Sequence, residues 1–255
     1  MPCHVGRDSR PAPGSRPTRR RGSLLWRSRD GLAALEFAFI APVLLIILAG
    51  LYDLTTGFIA WQRVNMAAQS IDQIATAYAA AAANTNTLNL NQAVTASSAV
   101  YAYLPDTMSA SPPAFGVTIS SVVMTNTSST CTAACTYTAH VAWSGVYQGS
   151  AATSPRRPCD SPPGTSALIE VSDATSPSST TLPADVYTAA PLLVVDVNYT
   201  FRPLFLTFVT ANVTMTRSAY FPPRTGLTSN WIKYYFAGAP DATTLCSGYP
   251  AATTN

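Results

Sequence analysis

Charged residues are scarce in this chain, and histidines are scarcer still. Charged residues make up 11% of the sequence against 47% hydrophobic residues, and the only histidines are His4 and His140. Since ordinary soluble proteins carry about 25% charged residues, the composition is poor in charge for a soluble protein. The 20 prolines, with many Ser, Thr and Ala, are typical of an exported domain.

Sequence signatures of catalysis are also missing. The chain has no G-x-S-x-G, no Gly-rich phosphate loop and no H-E-x-x-H, so the common hydrolase, nucleotide and zinc-protease motifs are absent. His140 has no neighbour in sequence that would make it a general base. Cys131 and Cys135 are spaced C-x3-C, which is not a usual zinc spacing. We therefore predict a non-enzymatic protein without metal or cofactor.

What the sequence does contain is a long apolar run. Residues 37–52 carry no charge, and after Asp53 a second uncharged run covers residues 54–61. Together they supply the roughly 20 apolar residues that a membrane helix needs, so we predict a transmembrane helix over residues 32–61. Tyr52 and Trp61 would lie in the outer aromatic belt, and Asp53 would reach the water of the headgroup layer.

The residues before the run set its orientation. Eight arginines stand against two aspartates in the first 30 residues. By the positive-inside rule this leader, residues 1–31, stays cytoplasmic and everything after Trp61 is exported. The topology signal and contact with anionic lipid account for the arginines, so we expect no nucleic-acid partner.

Glu36 is the unusual residue of the run, because an ionised carboxylate in lipid costs roughly a few kcal/mol unless it meets a partner or reaches the interface. Two explanations stay open: Glu36 lies in the inner headgroup layer, or a cation of another subunit pairs with it. The order Gly31, Leu32, Glu36, Phe37 and then an apolar helix resembles the class III signal of type IV pilin-like proteins. That resemblance implies cleavage by a prepilin peptidase between Gly31 and Leu32, and pairing of the new Leu32 amine with Glu36 of a neighbouring subunit.

A longer stretch of sequence indicates which family of pilin-like proteins the chain resembles. Residues 19–79 resemble the N-terminus of the TadE/TadG-like proteins of the tight-adherence (Flp) pilus system, through the basic leader, Gly31, the Glu36–Phe37 pair, Pro42, Gly50 with Asp53, and Gln62–Arg63. Residues 194–205 and 213–224 more weakly resemble the closing strands of that family. The resemblance implies a minor pseudopilin of the bacterial inner membrane with a periplasmic domain. Its partners would be the lipid bilayer, pilin and pseudopilin subunits, the pilus secretion machinery and the prepilin peptidase.

Three arginines of the closing segments, Arg202, Arg217 and Arg224, are candidates for a docking surface. The more ordinary role of such arginines is to neutralise nearby carboxylates or to protect a strand edge. For the whole chain, the alternative function is an uncleaved single-pass anchor with a periplasmic binding, sensory or structural domain. A secreted hydrolase behind a signal peptide is disfavoured, because the helical pattern continues past residues 48–57, where its cleavage site would fall.

Beyond the membrane the sequence predicts an α+β domain. Val64, Ala67, Ala68, Ile71, Ala75 and Tyr78 recur at helical spacing, with Gln62, Arg63, Asn65, Gln69, Asp72 and Gln73 opposite, which predicts a helical extension over 62–83. The domain would cover 84–255. We predict a helix over 91–104, strands over 115–124, 132–144, 192–201 and 211–221, and a Pro/Ser/Thr-rich surface loop over 150–185 with a brief strand at 167–171. Helices first and antiparallel strands later indicate the α+β class.

Four cysteines lie in the part predicted to be exported: Cys131, Cys135, Cys159 and Cys246. An even number of cysteines in an oxidising compartment predicts disulfides. Three connectivities are possible, and we favour Cys131 with Cys135 and Cys159 with Cys246.

Overall fold

The computed structural model describes residues 29–81, 86–104, 115–128, 131, 135–149, 154–166, 168–205, 212–223, 231–236 and 243–253, with residues 29–33 described by their backbone alone. The chain divides into two compact units, Met1–Ala49 and Gly50–Asn255.

The first element is one long helix, α1, over Arg29–Ala81, with Pro42 inside it. From Ala34 onward it is long and apolar enough to cross a membrane, which suggests a single-pass anchor. In the first unit its large apolar side chains are exposed, among them Leu35, Phe37, Phe39, Ile40, Val43, Leu44, Leu45, Ile46, Ile47 and Leu48. The predicted long N-terminal helix is therefore confirmed.

In the second unit α1 buries one face. The buried apolar residues are Ala60, Val64, Ala67, Ala68, Ile71, Ala75 and Ala79, which follow the three- and four-residue steps of an amphipathic helix. Alanine side chains are short, so this face can lie close to whatever packs on it. One residue departs from the predicted pattern: Asp72, expected on the polar side, is fully buried.

After α1 the described elements are, in chain order, β1 (Thr87–Asn89), α2 (Leu90–Ser97), α3 (Val100–Tyr103), β2 (Phe115–Asn126), β3 (Tyr137–Gln148), β4 (Ile169–Val171), β5 (Thr181–Pro183), β6 (Leu192–Phe201), β7 (Val213–Phe221), β8 (Lys233–Tyr235) and β9 (Thr243–Leu245). The helix predicted over 91–104 is thus two short helices. The first begins at a capping box, in which Asn89 and Gln92 each accept the other's backbone N–H, and this satisfies two otherwise unpaired donors.

The main sheet has five strands in the order β7-β6-β2-β3-β9, and all its neighbours are antiparallel. Two small parallel pairs accompany it, β1 with β8 and β4 with β5. The α+β class with an antiparallel sheet is therefore confirmed. The strand predicted over 132–144 begins and ends later, at Tyr137 and Gln148. The Cys131–Cys135 disulfide precedes it.

Each face of the main sheet has its own apolar core. On one face, Val117, Ile119, Leu193 and Val195 pack in one cluster with the buried residues of α1. On the other face, Val122, Val141, Leu192 and Val194 pack with Leu168 and Leu182 from the segment between β3 and β6. The sheet is therefore the middle of three layers, with helices on one side and this irregular segment on the other.

The irregular layer corrects the predicted surface loop over 150–185, because several of its side chains are buried. The largest is Arg157, only 1% exposed. Its Nε and Nη2 donate to the two carboxylate oxygens of Asp196 on β6 at 2.9 and 2.8 Å, and its Nη1 donates to the Thr181 carbonyl. A bidentate pair satisfies both buried charges, so Arg157 fixes this segment to the sheet.

Two disulfides complete the fold, Cys131–Cys135 and Cys159–Cys246. This is the connectivity favoured from the sequence. The second bridge joins residues 87 positions apart and ties the irregular layer to the residue that follows β9.

Candidate functional site

The residues predicted to act in the membrane lie near the start of α1. Gly31 and Leu32 are helical in backbone. Glu36 is exposed, and Phe37 beside it is 67% exposed. Among the side chains that the structure describes, no cation forms an ion pair with Glu36. The carboxylate therefore stands on an apolar helix surface without a described partner in its own chain, and the predicted cleavage and subunit pairing stay predictions.

Asp53 has a different environment from the one predicted. It is 5% exposed rather than open to headgroup water. The backbone N–H groups of Leu204 and Phe205 donate to its two carboxylate oxygens at 2.9 and 3.0 Å. The Phe205 ring also meets the Tyr52 ring edge to face, with centroids 5.5 Å apart. Asp53 thus attaches the residues after β6 to the helix.

The second unit has an apolar groove between α1 and the strands β6 and β7. The groove has a volume of about 500 Å³ and is lined by Asp53, Leu54, Gly57, Phe58, Trp61, Phe201, Pro203, Val213 and Met215. The Phe201 ring packs against the helix at Gly57, where a Cβ would stand 3.4 Å from the ring, an ordinary van der Waals distance.

The structure describes two of the three predicted docking arginines, Arg202 and Arg217. Arg217 lies over the Trp61 ring, with its Cζ 4.2 Å from the ring centroid, a cation–π contact. Partial burial lowers the pKa of Arg217 from its usual value. Arg202 is exposed just after β6, and Arg224 lies outside the described residues. The docking hypothesis stays a prediction, and for Arg217 the structure adds a contact with α1.

His140 has a carboxylate partner that sequence reasoning missed. Its Nδ1 lies 2.6 Å from Asp160 Oδ2 and its Nε2 lies 3.0 Å from the Thr138 hydroxyl. That hydroxyl is also 2.7 Å from the Thr125 hydroxyl, so it is held between two side chains rather than presented as a nucleophile. The only signal in the sequence was indirect, since Asp160 follows Cys159, whose disulfide brings this segment to the sheet. We assign His140 and Asp160 a structural role.

Asp72 is the most perturbed acid among the described residues. Burial raises its pKa well above the usual value of 3.8, and the charge of Asp196 raises it further. The backbone N–H of Phe221 lowers that pKa in part, but no group in the described part of the chain makes a hydrogen bond of normal geometry to either carboxylate oxygen. Because ionisation without a partner is costly in a core, burial favours the neutral form of the Asp72 carboxyl.

A comparison with known protein families matches the N-terminal part of the chain. Residues 31–71 are similar to the family described as TadE-like protein. The matched part begins at Gly31, includes Glu36 and Asp53, and ends at Ile71 on the buried face of α1. That family is associated with pilus systems and is not known for enzymatic activity. No curated protein and no solved structure matches the chain significantly.

Proposed function

We propose that this protein is a TadE-like minor pseudopilin that takes part in assembling a tight-adherence pilus at the bacterial inner membrane. The observation that carries the proposal is the exposed Glu36 on the apolar surface of α1, five residues after Gly31 and inside the matched stretch 31–71. An ionised carboxylate that lies in lipid needs a cation, and the amine of a processed neighbouring subunit would supply one.

In this proposal the segments have separate tasks. Residues 1–31 are the cytoplasmic leader, 32–61 cross the membrane, 62–83 extend the helix, and 84–255 form the periplasmic domain. Export of that domain agrees with its two disulfides, since disulfides persist in the periplasm. Removal of the leader would leave an amine on Leu32, which could then pair with Glu36 of another subunit as the helices pack together.

Processing gives the sharpest test. The full chain, tagged at its C-terminus, is expressed with its genomic neighbours, with and without the prepilin peptidase, and the intact mass is measured. We expect a mature protein that starts at Leu32 only when the peptidase is present. Gly31→Leu is the matched variant that should stay uncleaved. An unchanged mass with the peptidase present would favour an uncleaved periplasmic binding, sensory or structural protein instead.

A further inference from the structure

Besides strand β7, the connection that follows β6 also contacts α1, within the span 32–61 that is predicted to cross the membrane. The connection between β6 and β7 begins with residues 202–205, here called the tip segment, and Asp53 binds the backbone N–H groups of Leu204 and Phe205. Strand β7, in contrast, meets α1 near Trp61, where Arg217 lies over the indole ring. Asp53 precedes Trp61 by eight residues, or about 12 Å of helix at about 1.5 Å per residue.

The tip segment is apolar where it is exposed. Leu204 is 65% exposed and Phe205 is 47% exposed. The exposed α1 side chains beside it are also apolar: Tyr52 contacts the Phe205 ring, and Leu54 and Phe58 line the groove together with Pro203. Exposed hydrophobic side chains that adjoin each other in this way mark a contact with an apolar partner. Since α1 itself is apolar enough to cross a membrane, lipid is the apolar partner that this patch fits best.

The backbone chemistry fits a lipid environment. Backbone N–H groups in hydrocarbon must be hydrogen-bonded within the protein, because no water is present to replace the lost bonds. The Leu204 and Phe205 N–H groups meet this requirement through the Asp53 carboxylate. The same two bonds stabilise a charge that would otherwise be costly near lipid. The Asp53 carboxylate and the two N–H groups thereby satisfy each other's hydrogen bonds, which lowers the free-energy cost of placing both in lipid.

The charged side chains around the patch fit the headgroup layer. Arg63 and Arg202 are exposed, and Arg217 lies over Trp61. Arginine and tryptophan are typical residues of the membrane interface, where the cation reaches the anionic phosphate and the indole stays in the boundary layer. We infer that the tip segment is embedded in the outer leaflet beside α1, so that lipid acyl chains contact Leu204 and Phe205 and fill the apolar groove. The inference rests on the membrane anchor, but not on pilus assembly.

Depth-dependent fluorescence quenching tests this arrangement. Full-length protein carrying Cys3→Ser and Leu204→Cys is labelled with an environment-sensitive fluorophore and reconstituted into vesicles of phosphatidylcholine and phosphatidylglycerol. The substitution leaves the Asp53 contact in place, because Asp53 binds the backbone of Leu204 rather than its side chain. We expect blue-shifted emission and about a twofold loss of intensity when the vesicles contain phosphatidylcholine with a nitroxide on its acyl chain. Val213→Cys, at a 46% exposed position lining the groove, provides a second label site in case Leu204→Cys misfolds.

Two controls separate this inference from the anchor it depends on. A label at Leu48→Cys, an exposed position in the apolar run of α1, should be quenched if α1 crosses the membrane. A label at Ile169→Cys, exposed on β4, should not be quenched. Quenching at Leu48 without quenching at Leu204 and Val213 would overturn the inference and leave the anchor intact. Blue-shifted but unquenched labels at both positions would also overturn it, because protein rather than lipid would then cover the patch.

Discussion

The Asp53 carboxylate accepts the backbone N–H of Leu204 at 2.9 Å, across 151 positions of sequence. Asp53 belongs to the apolar part of α1 and Leu204 follows the last residues of β6. The contact therefore attaches a connection of the sheet to the helix, with the Phe205 N–H as the second donor. The hydropathy pattern predicts that Asp53 lies in headgroup water, but its carboxylate accepts two backbone hydrogen bonds.

Replacing Asp53 tests that role. Asp53→Ala removes the charged acceptor of two part-buried backbone N–H donors, and we expect a loss of about 2 kcal/mol in the free energy of unfolding. Chymotrypsin should also cleave faster after Phe205, because the tip segment loses its attachment. Both are measured on full-length protein in detergent micelles. Asp185→Ala removes an exposed carboxylate and should change stability by less than about 0.5 kcal/mol. Equal cleavage of the two variants would show that Asp53 does not hold this segment.

The two disulfides should differ in their contribution to stability. Each bridge restricts the unfolded chain, and the restriction grows with the number of residues enclosed. The Cys159–Cys246 pair is 87 positions apart and the Cys131–Cys135 pair is 4 apart. We expect the Cys159→Ser/Cys246→Ser variant to lose about 4–5 kcal/mol and the Cys131→Ser/Cys135→Ser variant about 2 kcal/mol. Urea denaturation of both double variants measures the difference, and equal losses would contradict the connectivity.

Asp72 should make stability depend on pH. Its pKa in the folded protein lies well above the usual 3.8, so above about pH 4 the folded state binds a proton that the unfolded state has released, and stability falls as pH rises through that window. The amide in Asp72→Asn cannot ionise, so the stability of this variant should not fall in the same way as pH rises. We expect the variant and the parent to have similar free energies of unfolding near about pH 4. Above that pH the difference in favour of the variant should grow by up to about 1.4 kcal/mol per pH unit.

Urea denaturation at several pH values measures the Asp72 effect. Glu170→Gln, which removes the charge of an exposed acid, is the matched control and should leave the pH dependence of stability unchanged. A constant difference in the free energy of unfolding between Asp72→Asn and the parent at every pH would mean that folding does not raise the pKa of the carboxyl.

Regular patterns made most of the fold predictable. Helical spacing identified the buried face of α1 through Val64, Ala67 and Ile71, and alternation in β2, β6 and β7 identified three strands of the sheet. Short strands such as β8 and β9 have three residues each, too few for a periodicity to be seen. The irregular layer was missed because its buried residues, Ser154, Arg157, Leu168 and Leu182, are scattered without a periodicity, and composition assigns Pro/Ser/Thr-rich segments to the surface.

The polar contacts could not be predicted from the sequence, for a different reason. The pairs Asp53–Leu204 and Arg157–Asp196 join residues 151 and 39 positions apart. The sequence around each residue does not indicate its partner. Asp72 was assigned to the wrong side of α1 because periodicity treats every charged residue as solvent-facing. A carboxyl kept neutral by burial breaks that assumption. Glu36 differs from these, since its odd position is visible in the sequence alone.

Glu36 decides between the proposed function and an uncleaved anchor. If the carboxylate pairs with the amine of a neighbouring subunit, Glu36→Ala should reduce the number of piliated cells at least about tenfold, because an ion pair that is lost within lipid is worth more than about 1.4 kcal/mol. Protein amount and membrane fraction should stay unchanged, which immunoblotting checks. Glu170 is the chain's other glutamate, and Glu170→Ala is therefore the matched control with normal piliation. Normal filaments from Glu36→Ala cells would mean that the carboxylate lies in the headgroup layer and that pairing does not drive assembly.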